Sequence, residues 1–317
     1  MRGYLLRRLL ALLPTLLFAS LIVFVTVRLI PGDVIDLMLS QNDIAADKKS
    51  REQIVAALGL DKPMWQQYGL WIGDALRGDL GLSLWQNTPV TELLAARLPV
   101  TFELGALALL VALSLAIPIG IYSAIRQDTV GDQLARSFSI LLLAVPSFWL
   151  GTIVMVFPSI WWGWSPEVNY VPFSADPWTN LKQMLLPAVV LGAGLSAITM
   201  RLTRTMMLEV LRQDYIRTAW AKGLSERLVV ARHALRNALV PVVTLVGLQA
   251  PLLIGGAVIV ETIFVIPGMG LLLLDAVNSR DYPIITGVFL VVGVAVMAIN
   301  LLVDLSYGAL DPKVRYR

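Results

Sequence analysis

Leu208 to Pro241, LEVLRQDYIRTAWAKGLSERLVVARHALRNALVP, is a long basic passage, and what flanks it decides the fold. Leu208, Leu211, Tyr215 and Ala219 are spaced by 3, 4 and 4 and predict one apolar helix face. Lys222 suits a last helical turn, Gly223 supplies a left-handed C′ conformation, and Ser225 is placed to cap a second helix with apolar positions Leu228, Leu235 and Leu239. Two helices joined at a glycine corner make a compact docking element. An amphipathic loop lying on anionic lipid is the alternative that spacing leaves open.

Both flanks are strongly apolar, and so is the rest of the chain. With 57% hydrophobic residues and a mean hydropathy of +0.74 over 317 residues, a soluble domain is excluded. Apolar runs of the roughly 20 residues needed to cross hydrocarbon occur near 9–30, 99–125, 138–162, 184–205, 241–266 and 284–306. They are continuous rather than alternating, so the expectation is an all-α membrane protein with six transmembrane helices. Residues 1–98 then hold the first span and an extracytoplasmic segment, 33–97. Residues 99–317 hold a five-helix core with the basic loop 208–241.

Orientation follows from Lys and Arg. With the N-terminus inside, the inside segments carry sixteen of the 25 basic residues and the longer outside segments eight, which places both termini in the cytoplasm. Trp161, Trp162 and Trp164 fall at the outer end of the third span, where amphipathic rings belong. Arg2, Arg7 and Arg8 resemble a signal n-region, but the apolar run is long for a signal core, and an uncleaved first span is expected. The outer segment has nine acidic and six basic residues among apolar ones such as Trp65, Tyr68 and Trp71. This predicts short amphipathic helices with a turn at Gly78-Asp79-Leu80-Gly81, either a structural cap or a platform for a soluble partner.

Catalytic chemistry finds little to stand on. There is no cysteine and one histidine, His233, so thiolate and multi-histidine metal sites are excluded. No phosphate loop, nucleophile elbow or H-E-x-x-H motif occurs. Arg28, Glu103, Glu261 and Asp304 all fall near span ends, where anchoring or snorkelling accounts for them. A proton- or sodium-driven transporter places ionisable groups near the midplane, so the energy for transport is expected to come from elsewhere. Glu103, Glu261, Asn300 and Asp304 are the candidates for pore or gate.

The stretches Asp214 to Gly223 (DYIRTAWAKG) and Arg232 to Pro241 (RHALRNALVP) resemble the cytoplasmic EAA loop of bacterial ABC importer permeases, most closely the oligopeptide and dipeptide branch. Arg217, Thr218 and Ala219 stand where the general loop pattern has Glu-Ala-Ala, so only Ala219 and Gly223 match it, a departure the peptide branch tends to share. Shorter similarities follow in order: RLIPGD from Arg28, GDLG from Gly78, RLP from Arg97, ETIF from Glu261 leading to PGMG, and Asp311-Pro312.

The resemblance implies a type I ABC importer permease fold in the bacterial cytoplasmic (inner) membrane. It also implies pairing with a homologous second permease and two cytoplasmic ABC ATPase subunits, and delivery of cargo by an extracytoplasmic solute-binding protein. No cofactor is expected on this chain; ATP and Mg belong to the ATPases, the lipid bilayer is a further partner, and nucleic acid is not one. Asp214, Tyr215, Ile216, Arg217, Thr218, Ala219, Lys222, Gly223 and Leu224 are the residues that would meet the ATPase. Short peptides are the expected cargo, with nickel chelates, glutathione or an oligosaccharide derivative as alternatives. A stand-alone secondary transporter or channel is the reading from another class.

Overall fold

A computed structural model describes residues 2–29, 55, 61–167 and 169–310, with side chains between 13 and 303. The expectations for most of 33–60, for Asp304 as a gate and for Asp311-Pro312 lie outside the described residues or side chains. The described residues form helices joined by turns and loops, the one β contact among them being an isolated bridge between Leu82 and Pro89. In order the helices are α1 Arg2–Leu29, α2 Met64–Ala75, α3 Val90–Ile125, α4 Val130–Ala144, α5 Ser147–Trp162, α6 Pro177–Leu211, α7 Asp214–Ala221, α8 Glu226–Phe264, α9 Met269–Ser279 and α10 Tyr282–Leu310.

Four of these, α3, α6, α8 and α10, are long and apolar enough to cross a membrane. The single span expected over 138–162 is instead two helices, α4 and α5, bent by 94°. Pro146 has no N–H to continue the ladder and disfavours the helical region for the residue before it; Val145 is accordingly extended, with φ −88° and ψ 118°. Counted together the pair makes a fifth candidate span, and within α1 the stretch Leu13–Leu29 is a shorter apolar helix.

The chain divides into two compact units. In the first, residues 1–98 and 272–295, Phe24 of α1 is buried against Tyr68 and Trp71 of α2, with ring centroids 5.3 and 5.6 Å apart. The turn at Gly78 to Gly81 is present, both glycines at positive φ, with the Gly81 N–H donating to Asp79 Oδ1 at 2.8 Å. Asp281 is buried at the start of α10. It accepts from Ser83 Oγ at 2.6 Å and from the Leu84 N–H at 3.1 Å, and so clamps the outer segment.

The second unit, residues 99–271 and 296–317, is organised on α6, which packs along α8, α4 and α5. Asp176 starts α6 by accepting from the N–H groups of Trp178 and Thr179, with Pro177 at the first helical position. Ala108 and Ala112 of α3 are fully buried, and Gly192 of α6 lies so close to the Ala108 carbonyl that a Cβ there would overlap it. Small residues thus set how near the two helices come, the usual device where lipid supplies no hydrophobic drive between helices.

Candidate coupling surface

The basic loop folds as a helix with a glycine corner. Asp214 lies in the first turn of α7, and Thr218 Oγ1 donates to the Asp214 carbonyl at 3.0 Å. At the other end Lys222 is the cap and Gly223 has φ 78°. The Gly223 N–H donates to the Trp220 carbonyl at 2.9 Å and the Leu224 N–H to the Ala219 carbonyl at 3.4 Å. This is a Schellman ending, and the Leu224 side chain lies in the apolar cluster that holds Ala219, the hydrophobic contact that goes with it. The stop at Lys222-Gly223 is where the sequence puts it.

Ile216 and Ala219 point inward, 1% and 6% exposed, onto Ala124 of α3, Met207 of α6 and Val229, Val230, Ala234 and Ala238 of α8. This differs from the expected face. Leu208 and Leu211 belong to the end of α6, and the chain breaks at Arg212-Gln213, which resets the helical phase. Ile216 therefore faces the core, and Tyr215 stays 43% exposed.

The second half also differs. Ser225 precedes Glu226 in an extended conformation, but its side chain makes no capping bond. Val229–Ala234 is a π-helical turn, whose extra residue per turn rotates the stripe, so that Val229, Val230, Ala234 and Ala238 are buried and Leu228 is exposed. The helix then runs on without interruption through Pro241 to Phe264.

The outward side of α7 carries Asp214, Tyr215, Arg217, Thr218 and Trp220, followed by Lys222 and Gly223, all exposed. Tyr215 Oη accepts from Asn237 Nδ2 at 2.8 Å, which fixes the ring against α8. Arg217 and Asp214 pair at 3.5 Å on the surface, a contact of little energetic weight. Two exposed aromatics beside cations, on a helix pinned from below, form the kind of rigid anchor that protein interfaces use.

A buried ion pair supports this element. Asp132, fully buried at the start of α4, receives Arg204 Nε on Oδ1 and a terminal Arg204 nitrogen on Oδ2, both at 2.8 Å. Ser123 Oγ donates to the same carboxylate, and the Asp128 N–H reaches Oδ2 at 3.0 Å. The ends of α3, α4 and α6 are thereby tied at one point. Sequence reasoning passed over it, although Thr129-x-x-Asp132 is a capping signature: Thr129 accepts from the Asp132 N–H.

Glu261 is fully buried and clasps the start of α9: its Oε2 accepts from the Gly270 and Leu271 N–H groups at 2.7 and 3.1 Å, and Oε1 from Thr101 Oγ1 at 2.5 Å. Glu103 Oε2 accepts from Tyr170 Oη at 3.2 Å, while its Oε1 is buried without a partner. Burial first, and the Glu103 charge second, push the Tyr170 phenol up to about 12. Asn300 is exposed on α10.

The family model described as "Binding-protein-dependent transport system inner membrane component" matches residues 116–316, and the corresponding N-terminal model matches residues 1–105. The chain is 39% identical over 340 residues to the dipeptide transport system permease protein DppB of Escherichia coli K12, with all of both chains covered. It is 41% identical over 317 residues to the glutathione transport system permease protein GsiC of Pectobacterium atrosepticum, again over all of both. Among solved structures, the inward-facing MetNI methionine ABC transporter aligns at a TM-score of 0.56 and 15% identity, covering 69% of this chain and 96% of that one. A chain of an amino acid ABC transporter aligns at 0.53 and 13%, covering 69% and 94%. At these identities the structures bear on the fold alone.

Proposed function

Since this chain belongs to the family of inner-membrane components of binding-protein-dependent transport systems, we propose that it forms half of the translocation path of an ATP-driven importer of short peptides. Six spans with both termini cytoplasmic, a homologous second permease, two ATPase subunits and an extracytoplasmic binding protein complete the assembly. ATP and Mg act on the ATPases. The surface of α7 receives the ATPase, with Asp214, Tyr215, Arg217, Thr218 and Lys222 facing it, Ile216 and Ala219 anchoring it, and Gly223 and Leu224 closing its end.

The observation that carries this reading is the construction of α7: a short helix closed at its C-terminal end by a Schellman turn, buried on one face and displaying Tyr215 and Trp220 on the other. A rigid element of this kind passes on a displacement instead of absorbing it. The peptide cargo is favoured by likeness to a dipeptide permease over full length, and glutathione, itself a short peptide, is the second reading because a glutathione permease is equally similar. Uptake of radiolabelled dipeptide and of glutathione into proteoliposomes holding the whole complex separates the two. Uptake driven by an ion gradient through this chain alone, with no ATPase present, would overturn the reading.

A further inference from the structure

The first unit holds an open cavity of about 250 Å³ whose wall the coupling surface does not use. Arg28, Gln67, Trp71, Asp74, Asp79 and Tyr282 line it, all from residues 1–98 and 272–295, and most of the remaining wall is apolar. Three features mark it as more than a gap. The Trp71 ring forms part of the wall, and its indole N–H is buried behind the cavity surface without a partner, a donor that a packed structure ordinarily satisfies. Arg28 is stacked 3.5 Å over the Phe24 ring and bonded through Nε to Gln67 Oε1 at 2.8 Å. That holds the guanidinium plane fixed, with its two terminal nitrogens left over for a bidentate acceptor. The third feature is two exposed carboxylates on the same wall: Asp74, whose Oδ1 lies 3.6 Å from an Arg77 nitrogen on the surface, and Asp79, whose Oδ1 accepts from the Gly81 N–H at 2.8 Å and whose Oδ2 is left over.

Donors and acceptors of opposite charge in one small cavity fit a ligand that carries both charges a short distance apart. We propose that the cavity binds a zwitterionic solute of one or two amino-acid residues, its carboxylate on Arg28 and its ammonium on Asp74 and Asp79, with the Trp71 ring as part of the wall. The volume lies just below the roughly 300 Å³ at which pockets for drug-sized ligands begin, which suits a dipeptide and is too small for a long peptide. The inference rests on the peptide-importer reading, and it names a contact made by this subunit itself, apart from cargo selection by a binding protein.

The test is a titration of the assembled complex in nanodiscs, labelled with ¹⁵N-tryptophan, with Trp71→Phe used to assign the Trp71 indole resonance. Ala-Ala is expected to shift that resonance saturably. The same dipeptide blocked by N-acetylation and C-amidation should need roughly tenfold more or fail to saturate, the loss expected when charge-assisted contacts are removed. Arg28→Gln should weaken the free dipeptide by a similar factor, and Asp79→Asn should narrow the gap between the free and N-acetylated forms. An unmoved Trp71 resonance, or equal response to free and blocked dipeptide, overturns the proposal. ATP-driven dipeptide uptake is measured on the same preparation: uptake with a silent cavity sinks the site alone, whereas absence of uptake sinks the cargo reading.

Discussion

Asp132 is a buried charge held by the counter-ion Arg204. Its carboxylate is fully buried, and Arg204, 19% exposed, spends two nitrogens on it. Asp132→Asn leaves that guanidinium without its counter-charge, a change worth about 3 kcal/mol where burial is deep. Chemical unfolding in micelles should show this loss, and the double variant with Arg204→Gln should cost clearly less than the two single changes added together. Val265 sits at φ 54° and ψ 38°, in the left-handed region that a β-branched residue avoids. The strain there, about 1–3 kcal/mol, exceeds the ~1 kcal/mol of extra chain entropy that glycine brings, so Val265→Gly should raise the melting temperature. Tyr170 gives a pH dependence. Because its folded pKa is raised, its contribution is intact below the ordinary value of 10.0 and is lost as pH climbs toward about 12. Stability of a Tyr170→Phe variant should fall less over that window. None of these three was legible in the sequence: each depends on which distant group the fold brings close, and spacing along the chain does not carry that.

At the scale of elements, the glycine corner separates conformation from space. Gly223 has φ 78°, yet a Cβ there would meet nothing within 4 Å. Gly223→Asn, which tolerates the left-handed region, should keep ATP-driven uptake near the wild-type level, whereas Gly223→Val should lower it severalfold with the complex still assembled. If both lose uptake equally, the corner matters for contact and not for its turn. This corner and the apolar spans were readable because glycine, capping residues and long hydrophobic runs are local signals. The phase of the helices on either side was not. A two-residue break after Leu211 and a π turn at Val229–Ala234 each rotate the buried face, and both are chosen by tertiary packing. Pro146 stands in the sequence within the expected third span, but its effect, a 94° bend where one straight span was expected, follows only once Val145 is seen to leave the helix.

For the molecule as a whole, charge distribution and exposure argue together. Large apolar side chains such as Leu110, Leu248 and Leu252 are 62–70% exposed on the chain by itself, the pattern of a protein whose surroundings are lipid and partner subunits. Tyr215 and Trp220 in the basic loop are exposed, and so are Trp161, Trp162 and Trp164, residues suited to membrane–water interfaces. The absence of cysteine makes the implied topology simple to check. A single cysteine at Thr218 should react with an impermeant maleimide only from the cytoplasmic side, and one at Ala175 only from outside; labelling of both from one side would overturn the arrangement of spans.

The unbroken course of α8 has a mechanical consequence. At 1.5 Å per residue its 39 residues form an arm of about 58 Å, nearly twice the ~30 Å hydrocarbon thickness. One end, through Val230 and Ala234, is bedded under α7; the other, through Glu261, grips the first N–H groups of α9. A tilt of only ~5° about either end sweeps the opposite end through roughly 5 Å, the size of one helical turn. Pro241 and Pro251 lie within the arm, yet the helix passes both without a break, so such a stroke would arrive as a swing of the far corner.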